Sequence, residues 1–237
     1  MFKKNWFYIL LISLLSIGLT GCGEKGLPDD EVGKLFVDRL VYDKRSKEFK
    51  ESFVDGDVLD KQMQVMTVSM QESFSTVFDA VADNLTDDER EKISQGLMER
   101  VRKTAQYEVE SSAEGKDKIK VTYHIQGFDY PEFVGRMMTN MLKTGEEFEP
   151  NSQEAGQLVF LSYFEALEDT EESPDIVDVT INFERQKKQW LVSDNQDEDV
   201  DRLLLAFMSG TSSSDSYELK VNDAVNQAVE EAKKRLK

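Results

Sequence analysis

YEVESSAEGKDKIKVTYHIQ, residues 107–126, decides the fold. Tyr107 and Val109 alternate with Glu108 and Glu110. After Glu114-Gly115, Ile119, Val121, Tyr123 and Ile125 alternate with Lys118, Lys120, Thr122, His124 and Gln126. Successive side chains of a strand point to opposite faces, so a period of two predicts a β-hairpin with one dry and one wet face. Parity sends Tyr107 and Tyr123 inward. It sends the chain's only histidine outward among lysines, with no acid positioned to tune it.

The same period returns downstream. Val177, Val179, Ile181 and Phe183 share one side, Gln186-Lys187-Lys188 makes a turn, and Trp190 to Val192 come back. Between the hairpins, Asp129 and Pro131 open one helix. Asn151 with Glu154 caps another, whose segment Leu158 to Phe164 is apolar nearly all round and reads as buried. Upstream the period is helical. Three amphipathic helices are marked by Val32, Leu35, Phe36 and Leu40, by the stripe from Leu59 to Val81, and by Ile93, Leu97 and Val101 behind a Thr86/Glu89 capping box. A last core helix carries Val200, Leu203, Leu204 and Phe207. Residues 209–217 read as a flexible linker, and residues 218–237 as a thinly amphipathic, solvated helix. The fold class is α+β, with N-terminal helices on one face of a four-stranded antiparallel sheet made of two hairpins and a two-helix insertion between them.

The start of the chain has a different character. SIGLTGCGEKG, residues 16–26, holds the only cysteine of 237 residues, so no intrachain disulfide and no Cys/His zinc set is available. Lys3 and Lys4 precede an apolar run from Trp6 to Leu19, and small residues follow. That order is a secretory signal in shape, and the run is short of the about 20 residues a spanning helix needs. Residues 1–21 are therefore read as a signal peptide, 22–28 as a tether, and 29–208 as the folded domain. Without residues 1–21 the formal charge of −18 becomes two more negative, since only Lys3 and Lys4 are lost. So acidic a surface repels the phosphate backbone, which excludes nucleic acid as a partner.

Leu19-Thr20-Gly21-Cys22 resembles the lipobox of bacterial lipoproteins. The resemblance implies cleavage by signal peptidase II before Cys22, recognition through Leu19, Thr20 and Gly21, and a diacylglycerol thioether on Cys22. Two acyl chains suffice for stable anchoring where one is marginal, at about 0.8 kcal/mol per buried CH₂. The order of elements resembles the cystatin-like cone of nuclear transport factor two and ketosteroid isomerase. YHIQGFDYPEF, residues 123–133, and FERQKKQWLVSD, residues 183–194, look like Gram-positive membrane lipoproteins to which no activity is assigned. That likeness, over most of residues 28–208, implies a fold and an extracytoplasmic, lipid-anchored location.

No residue pattern imposes a chemistry. Cone enzymes work through acids, bases or phenols aimed into the cavity between sheet and helices. Here Tyr107, Tyr123 and Asp129 are the candidates for ligand binding, and Tyr123 with Asp129 the pair for an enzyme alternative. The leading expectation is a non-catalytic, monomeric binding or interaction module for an envelope protein or a small apolar ligand, with no cofactor, metal or catalytic residue. Met63, Met66 and Met70, with Met137, Met138 and Met141, invite copper(I), but phenylalanines and valines interrupt both stripes, and core filling or an adaptable apolar groove accounts for them better. The alternating Asp197, Asp199 and Asp201 lack the turn glycine and the closing glutamate of a calcium loop.

Overall fold

Two hairpins form one antiparallel sheet in the computed structural model, which describes residues 26–79, 85–143 and 152–235. The strands are β1 (Gln106–Ala113), β2 (Lys118–Gln126), β3 (Val177–Gln186) and β4 (Gln189–Val192), in the spatial order β1-β2-β3-β4. Register matches parity. Val109 faces Tyr123, Tyr123 faces Val179, Val121 faces Ile181 and Ile119 faces Phe183. The inner residues Ile119, Val121, Tyr123, Ile125, Val179, Ile181 and Phe183 are buried. The outer face is polar across the strands, with a Lys118–Glu184 ion pair and Thr122 and Thr180 hydroxyls 3.1 Å apart.

Helix α1 (Asp29–Leu40) covers the dry face with Val32, Leu35, Phe36, Val37 and Leu40. It comes close because residue 33 is glycine: a Cβ there would run into Val121. The Gly33 carbonyl instead accepts a hydrogen bond from the Tyr123 hydroxyl at 3.1 Å. Helix α3 (Gly56–Asp79) turns Leu59, Met63 and Met66 of its expected stripe to the core, the side chains from Met70 to Val81 lying outside the described residues; α4 (Asp87–Thr104) buries Ile93, Leu97 and Val101 as expected, and the Thr86/Glu89 capping box is present. Among the described residues the N-terminal half holds four helices where three are expected. The additional one, α2 (Ser46–Ser52), is seven residues long and buries only Phe49, so it offers no period to read.

The insertion between the hairpins is α5 (Tyr130–Lys143) and α6 (Gln153–Asp169). The cap of α6 is Ser152, whose Oγ accepts from the Ala155 amide at 3.1 Å; the expected cap Asn151 lies outside the described residues. The stretch Leu158–Phe164 is not wholly buried, since only the side toward α4 and α5 packs and Leu161 stays 59% exposed. Helix α7 (Asp197–Ser209) lies under β2 and β3 and ends at Gly210, whose φ of 62° suits a left-handed cap. Residues 209–217 hardly separate two bodies. Ser209 and Thr211 are buried with their hydroxyls 2.8 Å apart, and α8 (Ser214–Arg235) starts three residues later. Contrary to expectation, α8 is docked along α5. Small residues allow it: Gly135 abuts Ala224, and Ala228 is buried. Lys220 also pairs with Asp175 at 2.8 Å.

One polar knot ties α1, α2 and α3. Arg39 and Asp60 are both buried and form an ion pair. Asp60 also accepts from Ser46 at 3.0 Å and Gln64 at 3.2 Å, and Lys50 lies 3.1 Å away. Burial works to raise the Asp60 carboxyl, but hydrogen bonds from Arg39, Lys50 and Ser46 outweigh it and hold it below the ordinary value. Removing one partner of such a pair strands the other charge in a dry site. Asp60→Asn is therefore expected to cost about 3–5 kcal/mol in urea denaturation of the soluble chain, and a loss under about 1 kcal/mol would show that Arg39 finds another partner. Lys47→Ala, at an exposed position of α2, should stay within about 0.5 kcal/mol of the parent.

Candidate functional site

The long stripe of α3 is only partly spent on the core. Leu59 and Met66 are half-buried, Met63 is buried, and Val65 and Val68 face outward at 65% and 49% exposure. Opposite stands α7, whose run Leu203-Leu204-Leu205 is wider than one helical face. Leu203 and Phe207 are fully buried toward the sheet, while Leu204, Leu205 and Met208 turn toward α3 and α8. Two adjoining hollows result. One of about 360 Å³ lies among Phe36, Leu59, Met63, Met66 and Val200. The other, about 310 Å³, lies among Met66, Tyr130, Leu204, Leu205, Met208 and Tyr217. Met66 and Asp201 belong to both, which makes them one groove.

The groove is apolar along its floor and acidic at its rim. Asp197 and Asp201 edge it from the first two turns of α7, both exposed and neither in an ion pair among the described residues. At the other end the rings of Tyr130 and Tyr217 lie 5.8 Å apart. Burial, then the neighbouring phenol, pushes the Tyr130 hydroxyl well above its ordinary value, and burial raises that of Tyr217. Both phenols stay protonated at any physiological pH. Hollows of this size, apolar with a few polar groups at the edge, suit small molecules.

The residues singled out in the sequence are placed elsewhere. Tyr123 is wholly enclosed, its hydroxyl spent on Gly33 and raised well above its ordinary value by burial. Tyr107 is half-buried in an aromatic cluster, its ring 5.9 Å from Tyr42 and 5.6 Å from Phe207. The Asp129 carboxylate accepts from the Glu132 amide at 3.1 Å, as a helix cap. Tyr107 and Tyr123 share the dry face, close enough for the Tyr107 phenol to help raise that of Tyr123; Asp129 stays at its helix cap, and none of the three lines the groove. Of the methionines, Met63 and Met66 line it, whereas Met137 and Met141 pack against the core. The side chain of Met70 lies outside the described residues, as do Leu19, Thr20, Gly21 and Cys22. Among the described residues, no three His, Cys, Asp or Glu side chains cluster tightly enough to hold a metal ion, and no helix is long and apolar enough to cross a membrane. Sequence reading missed Leu204, Leu205, Met208, Tyr130 and Tyr217. The triple leucine of α7 is the available signal, whereas Tyr217 lies on α8, whose thin stripe reads as a solvated helix.

No known family model matches the chain, and no curated protein is significantly similar to it. One solved structure is similar in fold: a "putative lipoprotein" (ycdA) of Bacillus subtilis, with a TM-score of 0.56 at 14% sequence identity. The likeness covers 76% of this chain and 55% of that one, so the chain spans little more than half of that protein's length.

His124 departs from expectation in one respect. It does point outward, but acids flank it: Nδ1 lies 2.7 Å from Asp178 Oδ1, and Nε2 3.7 Å from Glu110 Oε2. Cross-strand register explains this, since Asp178 stands opposite His124 on β3, and pairing between strands cannot be read from one strand alone. The hydrogen bond with Asp178 raises the imidazole above its ordinary value of 6.5, outweighing partial desolvation, and the charges of Asp178 and Glu110 add to it. A raised value in the folded state adds stability that is complete below 6.5 and is lost as pH climbs through the folded value. Solvent screens these exposed acids, so the gain is about 0.2–1 kcal/mol. Urea midpoints should therefore fall slightly as pH rises from below 6.5 through the raised folded value, and His124→Gln should flatten that slope. An unchanged slope in the variant would assign the effect to other groups.

Proposed function

We propose that the chain is a lipoprotein of a Gram-positive cell envelope, held on the extracytoplasmic face of the membrane by diacylglycerol on Cys22. Its α+β domain is a non-catalytic binding module that takes a small, elongated apolar ligand in the groove between α3, α7 and α8. The groove carries the proposal. Met66 and Leu205, half-exposed on facing helices across open space, give up burial worth about 25 cal/mol per Å². Such a cost is sustained where a ligand recovers it. Methionines suit the task, since their unbranched thioethers adapt to more than one occupant. Asp197 and Asp201 at the rim favour an apolar body with a positive or hydrogen-donating end over a fatty acid.

For the anchor, support comes from the order basic start, apolar run and Leu19-Thr20-Gly21-Cys22, and from a fold shared with a protein described in the same terms. The polar outer face of the sheet offers no apolar patch to a second copy, in keeping with a monomer.

Two measurements test the two parts. Cys22→Ala should abolish incorporation of an alkynyl palmitate analogue while leaving urea denaturation of the domain unchanged; label on the variant would remove the anchor. The soluble chain should bind Nile red, and dodecylammonium should displace it more readily than dodecanoate. Leu205→Trp, which fills the groove, should weaken the dye about tenfold, or by about 1.4 kcal/mol. Asp201→Asn should erase the preference for the cationic chain. Equal displacement by both chains, or full dye binding in Leu205→Trp, would place the ligand elsewhere.

A further inference from the structure

Helix α8 covers the tyrosine end of the groove, yet little holds it there. Of its 22 residues only Ala228 is buried, and none joins the contiguous apolar core. Its main contacts are with α5, where Gly135 meets Ala224, and Leu219 is left exposed. Near its start, Lys220 pairs with Asp175 at 2.8 Å, both side chains open to solvent, so that pair contributes little. The Tyr217 ring lies 5.8 Å from that of Tyr130, and their hydroxyls share a hydrogen bond.

The chain just before α8 is fixed by contrast. Ser209 and Thr211 are buried, and Gly210 lies so close to buried Ser173 that a Cβ would run into it. The Ser173 amide in turn donates to the Gly127 carbonyl at 2.7 Å. Ser213 is exposed and caps α8, its Oγ accepting from the Ser216 amide at 3.2 Å. Residues 212–213 are thus a joint between a rigid body and a thinly held helix. At about 1.5 Å per residue, Tyr217 stands about 6 Å beyond Ser213 and Ala224 about 16 Å. Moving Tyr217 about 3 Å off the groove carries Ala224 about 8 Å, which parts α8 from α5. The closest part of that contact is Gly135, Ala224 and Ala228, whose separation exposes little apolar area.

We propose that α8 is a hinged strap that gates the groove. It swings about residues 212–213 to admit an elongated apolar ligand at the tyrosine end, then closes with Tyr217 over the ligand. This gate rests on the groove being a ligand site. Opening leaves the sheet, α5 and α7 in place, so the free chain opens locally without unfolding. A ligand that touches Tyr217 binds the closed state better and shifts the population toward it.

The test uses the soluble chain with Cys22→Ala, which keeps every described residue and has no thiol. Nile red titration first reports the groove. A Cβ at residue 135 would lie 3.2 Å from that of Ala224, a little under the about 3.8 Å of a disulfide, so Gly135→Cys with Ala224→Cys can be bridged. Oxidised, this double variant should take up and release the dye about tenfold more slowly than the parent, and dithiothreitol should restore both rates. Ala224→Leu, which crowds Gly135, should instead speed both rates. In the free parent, α8 amides should exchange hydrogen about a hundredfold faster than those of α5, and saturating dye should slow them. No dye binding by the parent overturns the groove reading and the gate with it. Dye binding at equal rates in the bridged, reduced and parent chains overturns the gate alone, as does exchange in α8 as slow as in α5. Where the double variant does not fold or bridge, Ala224→Leu decides: unchanged dye rates overturn the strap.

Discussion

The dry face of β2, Ile119 to Ile125, is the constraint to which the rest of the fold responds. A sheet with one apolar face and one charged face is stable only if the apolar face is covered. Four alternating residues define which way every neighbour must pack. β1 and β3 pair with β2 in the register that keeps their own apolar residues on that side. Helix α1 then lies directly on it, close enough that residue 33 has no side chain and Tyr123 can donate to its carbonyl. A one-residue slip of β2 would bury Lys120 and His124 under α1 and expose Val121 and Tyr123, an exchange that no local rearrangement repairs.

Features that depend on a single element's own period were legible in the sequence. The strands, the Thr86/Glu89 cap, the stripe of α3 and the apolar face of α7 each follow from spacing alone. What was not legible depends on pairs of elements. Asp60 reads as one more acid in an acidic chain until α1 and α2 bring Arg39, Ser46 and Lys50 to it. Asp178 reads as an outer-face residue until register sets it beside His124. Helix α8 has a thin stripe of small residues, which is weak evidence for docking until α5 presents Gly135 at the matching height. For the candidate site, the methionine stripe suggested a groove, but its far wall and tyrosine end came from the packing of α7 and α8.

The groove itself follows from the Asp60 knot. By tying the first turns of α3 to α1 and α2, the knot sets the direction in which α3 leaves the core, and α3 makes its main contacts with α1, α2 and α4. Met63 and Met66 are then carried alongside α7 without closing on it. A buried ion pair contributes little net stability compared with an apolar substitute, but it fixes geometry, because a displaced partner leaves a charge unpaired. The knot therefore matters less for how tightly the domain folds than for where α3 points, and so for whether there is space beside Leu204 and Met208.

Charge gives the same architecture a direction. Acids are spread over the helices and line the groove's rim, while exposed Lys116, Lys187 and Lys188 stand with Glu114 and Asp117 at the hairpin turns, next to Gly26. At physiological ionic strength the Debye length is about 8 Å, so only charges close to a surface are influenced by it. Were Cys22 the anchor proposed for it, those would be the charges of the turns, with most of the acidic body beyond that range. Selection of an occupant in the proposed groove would fall to the carboxylates of α7, Asp197 and Asp201, which stand in a different electrostatic neighbourhood from the turns.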